Sequence, residues 1–183
     1  MSNKNNNPTS RDRGGRNWMY VQQLSHLPAQ FPPLNHQLDT FLDENLPRGT
    51  KWAWKLHDQD TFTADHVAVI EGKRKIGERR EDHIHISIKL PNTKTASAMA
   101  KLFNDKPQYF QKFTGDNAVQ NMFAYLIHRT EGSKKDGKFE YSPKDVYANF
   151  DYQTYVDGVT TGIKTAQIEK DTIQQEILTG KLR

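Results

Sequence analysis

Seven histidines and no cysteine stand in the 183 residues of this chain, and three of those histidines fall in two short patterns that can hold a cation. The patterns are His57-Asp58-Gln59-Asp60 and His83-Ile84-His85. On a strand, residues i and i+2 project the same way, about 7 Å apart. The imidazoles of His83 and His85 can therefore turn toward one ion at a nitrogen–metal distance of about 2.0–2.1 Å. An isolated pair of this kind is also what an amphipathic surface strand carries, and His-Asp-x-Asp alone is also an Asx-type turn. If the two segments are neighbours, His57, Asp60, His83 and His85 form a set of three nitrogens and one carboxylate. Such donors suit Mn²⁺, Mg²⁺ or Zn²⁺ rather than soft metals. The absence of cysteine excludes thiolate zinc, iron–sulfur clusters, disulfides and thiol catalysis.

A second group lies at residues 116–129, where Val119, Met122, Phe123 and Leu126 form the apolar stripe of a helix from Asp116 to about His128. Asn121, Tyr125 and His128 share its flank, which sets Tyr125 at the rim between core and solvent. A rim tyrosine ordinarily packs amphipathically. A phenol of pKa ~10 is a poor nucleophile at neutral pH. Beside a cation that polarises a phosphate it can attack a phosphodiester. His128 and Arg129 are candidates to orient that phenol or to contact the phosphate.

The elements that must position these groups are legible from periodicity. Lys51–His57 and His83–Leu90 alternate with period 2, placing Trp52, Trp54, Ile84, Ile86 and Ile88 on one face and His57, His83 and His85 on the other. Trp18–Leu24 reads as a first strand, Asn35–Leu46 as a helix stopped by Pro47, and Thr95–Phe103 as a helix after a strand broken by Pro91. Gln108–Phe113 reads as a strand, 131–138 as a polar loop, 139–146 as a short extended region, and Lys164 to about Leu178 as a helix. The order β–α–β–β–α–β–α predicts an α+β domain, with one mixed sheet, helices on one face and a ferredoxin-like arrangement. The three histidines fall on its open face.

Charge is localised. The whole chain carries +4. Residues 1–16, read as a disordered basic arm, hold Lys4, Arg11, Arg13 and Arg16 against Asp12, and residues 71–80 hold five basic and two acidic side chains. Lys73, Arg74, Lys75, Arg79 and Arg80 are the candidates for phosphate contacts. A solvated, solubilising loop is the plainer reading of such a run. No apolar run is long enough to span a membrane, and the polar N-terminus is no secretory signal. His66 lies in a loop with no facing partner to make it a ligand, and His26 and His36 stand alone.

The segments LHDQD (56–60), DHIHISIKL (82–90) and NMFAYLIHRT (121–130) resemble the three motifs of HUH-type endonucleases, most closely the RepB-type rolling-circle replication initiators of small Gram-positive plasmids. The resemblance spans roughly Asn17 to Val156, including NWMYVQQL and YSPKDVYANFDYQTYV. It implies a five-stranded antiparallel sheet with the site on its open face. It implies Mn²⁺ or Mg²⁺ held by His57, Asp60, His83 and His85, and Tyr125 as the single nucleophile. It implies nicking of plasmid origin DNA through a 5′-phosphotyrosine, with the 3′-hydroxyl left for the host replication machinery, in the bacterial cytoplasm. Such proteins continue into an oligomerisation domain. Residues 157–183, expected to be a helical extension, are then the start of a longer region, and this chain is the nicking and origin-binding part. A relaxase or transposase shares the same chemistry. A non-catalytic nucleic-acid-binding sheet would stack bases on exposed aromatics, and the open-face positions here are His, Lys, Ser and Ala instead.

Overall fold

The structure is a computed structural model that describes residues 14–159. The basic residues Lys4, Arg11 and Arg13 and the helix expected at Lys164–Leu178 lie outside the described residues. Five strands, β1 (Gly15–Gln23), β2 (Lys51–His57), β3 (His83–Lys94), β4 (Phe110–Lys112) and β5 (Tyr147–Ala148), form one sheet in the order β4-β1-β3-β2-β5. Every pairing is antiparallel. The first four strands with helices α1 (His36–Asn45) and α3 (Ala96–Phe103) make a β-α-β-β-α-β unit, and β5 adds an edge. The expected α+β architecture and five-stranded antiparallel sheet are present. The basic arm expected over residues 1–16 overlaps the fold at its end, since Gly15 and Arg16 already belong to β1.

Both helices are started by the residues that precede them. The Asn35 side chain accepts from Gln37 N at 2.8 Å, and Thr95 Oγ1 accepts from Ala98 N at 3.1 Å. Leu38 and Leu42 of α1, and Met99, Ala100 and Phe103 of α3, pack on Trp18, Tyr20, Trp52, Trp54, Ile84, Ile86 and Ile88. Two indole hydrogen bonds fix α1 against β2, Trp52 Nε1 to Asp43 and Trp54 Nε1 to Asp39, each 2.8 Å. Burial of each such large apolar side chain contributes about 1.5–3 kcal/mol.

The other face departs from expectation. It carries α4 (Ala118–Tyr125), whose Met122, Phe123 and Ala124 pack with Met19 and Ala53, alongside Tyr141, Tyr152 and Val156. The apolar stripe of α4 requires a surface to bury on, and the small side chains Ala53 and Ser87 leave room for it. Ser87 Oγ donates to Met122 O at 3.4 Å. The histidines of this face are therefore buried beneath protein rather than open to solvent, His57 at 0 %, His83 at 2 % and His85 at 5 % exposure.

Three boundaries also differ. β3 continues past Pro91 to Lys94, because its pairing with β1 is irregular there (Asn17 faces Lys89 and Gly15 faces Lys94), so no ladder N–H is needed from proline. Asp116 does not cap α4; Asn117 precedes the helix, which ends at Tyr125. The polar loop 131–138 contains a short helix, α5 (Glu131–Lys135), started by Thr130, and the extended region expected at 139–146 forms no strand: residues 139–142 are irregular and a 3-10 turn (Pro143–Asp145) precedes β5. Between β2 and β3 an arm projects from the sheet, bearing the one-turn helix α2 (Val67–Ile70). No helix among the described residues is long and apolar enough to cross a membrane.

Candidate metal centre and nucleophile

Strand register brings the two histidine motifs together. His57 faces His83 across β2 and β3, and Lys55 faces His85. The His57 and His85 rings stack at 4.0 Å between centroids, and those of His57 and His83 lie 5.3 Å apart. The turn after β2 returns Asp60 to the same place, with Oδ2 3.3 Å from both His57 Nδ1 and His83 Nε2. One ring nitrogen from each of His57, His83 and His85 lies within 4.8 Å of the others.

Backbone carbonyls select the tautomers. His57 Nε2 donates to Leu126 O at 2.9 Å, and His83 Nδ1 donates to Glu81 O at 2.8 Å. In the neutral imidazoles this leaves His57 Nδ1 and His83 Nε2 as lone pairs aimed at a carboxylate. Burial lowers the pKa of His57, against the opposing pull of Asp60, and lowers that of His85 well below the usual histidine range. Burial raises the Asp60 pKa, but when the His57 and His83 rings are protonated their hydrogen bonds outweigh it and hold the carboxyl well below the usual range. Buried His85 Nδ1 has no hydrogen-bond partner, and His83 Nε2 meets only the Asp60 carboxylate, at 3.3 Å. His57, His83 and His85 form one group that could hold an ion, and His57, Asp60 and His128 form a second that shares His57; nitrogen and carboxylate donors of this kind suit a hard or borderline divalent cation. The residues fit such an ion, and the carbonyl partners of His57 and His83 supply the orienting contacts that metal-binding imidazoles need.

Asp60 is itself fixed from several sides. Tyr141 Oη donates to Oδ1 at 2.8 Å and accepts from Gln59 N at 3.0 Å. Arg80 Nη1 lies 3.6 Å from Oδ2. His128, in the left-handed conformation at φ 58°, stands edge-on to His57 at 4.7 Å and donates through Nδ1 to Phe139 O at 2.7 Å. Its Nδ1 is 3.8 Å from Asp60 Oδ1, and burial takes its pKa down to about 4.

Tyr125, half-buried at the end of α4, borders this cluster. Its ring is 6.1 Å from His85 and 5.6 Å from His128, and its hydroxyl is 3.4 Å from Lys138 Nζ. On its far side a cleft of about 470 Å³ is lined in part by Phe113, Asn121, Tyr125 and Arg129. The structure thus brings together His57, Asp60, His83, His85, His128 and Tyr125. Asn121 is exposed beside the cleft. Arg129 is held by Glu140 at 2.7 Å and Asp157 at 2.8 Å. Lys73, Arg74 and Lys75 are exposed on the arm, where Lys73 pairs with Glu71 and Arg74 with Glu78, each at 2.5 Å, and Arg79 pairs with Asp82 at 3.0 Å. His66 is engaged by Thr63 N at 2.9 Å within the arm, away from the cluster.

Lys138 and Tyr141 carry no sequence signal for this site. They reach it from a loop and from the segment before β5, and only the pairing of distant segments places them here. Tyr141 lies inside the YSPKDV stretch, the one hint available.

The fold and cluster define a class: an α+β domain with buried histidines and an aspartate, in groups that could hold a metal ion, beside a tyrosine. The family described as plasmid replication protein, origin binding domain, matches residues 10–153, and the chain belongs to it. A replication protein of Onion yellows phytoplasma (strain OY-M) is 25% identical over 118 residues, 64% of this chain and 29% of that protein. The chain therefore spans less than a third of that relative's length.

Proposed function

We propose that this domain binds plasmid origin DNA and nicks one strand of it through Tyr125, initiating rolling-circle replication. Family membership supports the DNA target, and the cluster of His57, His83 and His85 nitrogens beside Tyr125 supports the chemistry. His57, Asp60, His83 and His85 would hold Mn²⁺ or Mg²⁺, which supplies Lewis-acid polarisation of the scissile phosphate. Tyr125 Oη attacks phosphorus, the bond to the 3′-oxygen breaks, and a 5′-phosphotyrosine and a 3′-hydroxyl result. The phenolic proton passes to solvent water as the new P–O bond forms, and the departing 3′-oxygen takes a proton from solvent water. The bond energy stays in the phosphotyrosine, so strand transfer needs no nucleotide hydrolysis. Lys138, close to the phenolic oxygen, adds a cation where negative charge develops. The 3′-hydroxyl is the point at which a host polymerase would begin.

The test is covalent capture. Labelled single-stranded oligonucleotides from the cognate origin are incubated with Mn²⁺ or EDTA and run on a denaturing gel. A Mn²⁺-dependent protein–DNA band, lost in Tyr125→Phe with DNA binding retained, is expected. Free cleaved DNA without the band would make the protein a hydrolytic nuclease and Tyr125 structural. No cleavage of a verified origin would leave a binding domain alone.

A further inference from the structure

The arm between Asp60 and Arg80 is built in an unusual way. Its base is a short ladder: Arg80 N donates to Asp60 O at 2.9 Å, Thr61 bridges to Arg79, and Phe62 N donates to Glu78 O at 2.8 Å. Phe62 forms its small core, with the guanidinium carbons of Arg74 at 5.7 Å and Arg80 at 6.0 Å from the ring centroid. The arm is therefore self-supporting. Yet its tip shows water three large aliphatic side chains, Val67 at 66 %, Ile70 at 72 % and Ile76 at 68 % exposure. Only Phe139 and Tyr147, both at 49 %, are comparable among the described residues. These aliphatics lie outside both core clusters, and they are the three most exposed large apolar side chains among the described residues, all within ten residues of chain.

Their neighbours indicate which partner. Lys73, Arg74 and Lys75 stand exposed on the arm, Lys73 paired with Glu71 and Arg74 with Glu78 across solvent-exposed contacts that a phosphate can replace, and residues 67–80 carry five basic against two acidic side chains. Aliphatic side chains flanked by cations are the equipment of proteins that insert an apolar wedge between base pairs while holding the flanking phosphates. The arm's root is Asp60, which also faces His57 and His83. A wedge at this position is tied directly to the candidate metal centre.

We infer that the 61–79 arm is a DNA-unstacking wedge: Val67, Ile70 and Ile76 enter between bases of the origin duplex while Lys73, Arg74 and Lys75 hold its phosphates. This rests on the proposed nicking activity and adds what that reading lacks, a means of presenting single-stranded DNA to Tyr125. Unstacking a base step is unfavourable, and insertion of apolar side chains offsets that cost.

The experiment compares the wild type with Val67→Ser/Ile70→Ser/Ile76→Ser on three origin DNAs: a supercoiled plasmid, a linear duplex with a pre-formed mismatched bubble at the nick site, and a duplex carrying 2-aminopurine at that step. Wild-type protein should raise the 2-aminopurine fluorescence in EDTA. The triple variant should not, and its nicking of supercoiled plasmid should fall at least about tenfold while nicking of the bubble stays within about twofold. Equal fluorescence and equal plasmid nicking in the two proteins would overturn the inference. So would unchanged DNA behaviour with altered sedimentation, which would make the patch a contact between copies of this chain. Because fluorescence is read in EDTA, the wedge stands or falls separately from the nicking chemistry. Bubble nicking by the wild type reports on that chemistry.

Discussion

Protonation of His128 offers a direct measure of how strongly this site favours neutral imidazoles. Its ring is 2 % exposed, and burial lowers its pKa from 6.5 to about 4. The folded state therefore binds fewer protons than the unfolded chain between these values. The associated stability is complete above pH 6.5, declines as the pH falls toward about 4, and is gone below that. Linkage over this interval gives a loss of about 2.5 kcal/mol at pH 4.5 relative to pH 7.5 from this one group. His128→Gln removes the titration and retains an amide N–H for Phe139 O. Its left-handed backbone at φ 58° is unfavourable for either residue, and that contribution does not depend on pH. Urea unfolding in EDTA at the two pH values should show the wild-type advantage over His128→Gln shrinking by about 2.5 kcal/mol on acidification. An advantage that stays constant within error would refute the reasoning, because it would mean that His128 is no harder to protonate folded than unfolded.

Two further outcomes test the centre. His85→Ala should weaken Mn²⁺ binding in calorimetry by at least about a hundredfold, since even partners that only orient a ligand are worth ten- to a hundredfold. An unchanged isotherm would move the cation elsewhere. Lys138→Met should slow nicking of a single-stranded oligonucleotide by about ten- to a hundredfold, with its binding altered less than about twofold. Equal loss of binding would make Lys138 a phosphate anchor instead.

The parts of the fold legible in the sequence are those governed by local rules. Lys51–His57 alternates so cleanly that its ends match β2, and Asn35 and Thr95 cap the helices they precede. The shared face of His57, His83 and His85 follows from period-2 geometry, and so does the meeting of the two motifs once β2 and β3 pair. What could not be read depends on distant partners. The apolar stripe of residues 116–128 runs on through Leu126, but the carbonyl of Leu126 is taken by His57, and the chain leaves the helix at Tyr125 and turns left-handed at His128. That α4 would cover the histidine face was invisible for the same reason: helix periodicity shows that an apolar side must be buried, not against which surface. Arg80 shows the limit for charge. It reads as a surface cation in a basic run, yet it reaches back to Asp60.

The hydrogen bond from His57 to Leu126 O has a mechanical meaning for the proposed reaction. The residue after Tyr125 is moored to the central part of the sheet by a strand side chain, so the tyrosine is held on a very short leash. A DNA end joined to such a residue would share the sheet's frame of reference. Whatever distance the other end of the strand travels, the captured 5′ end would remain at a fixed address, ready for the transfer that closes the cycle.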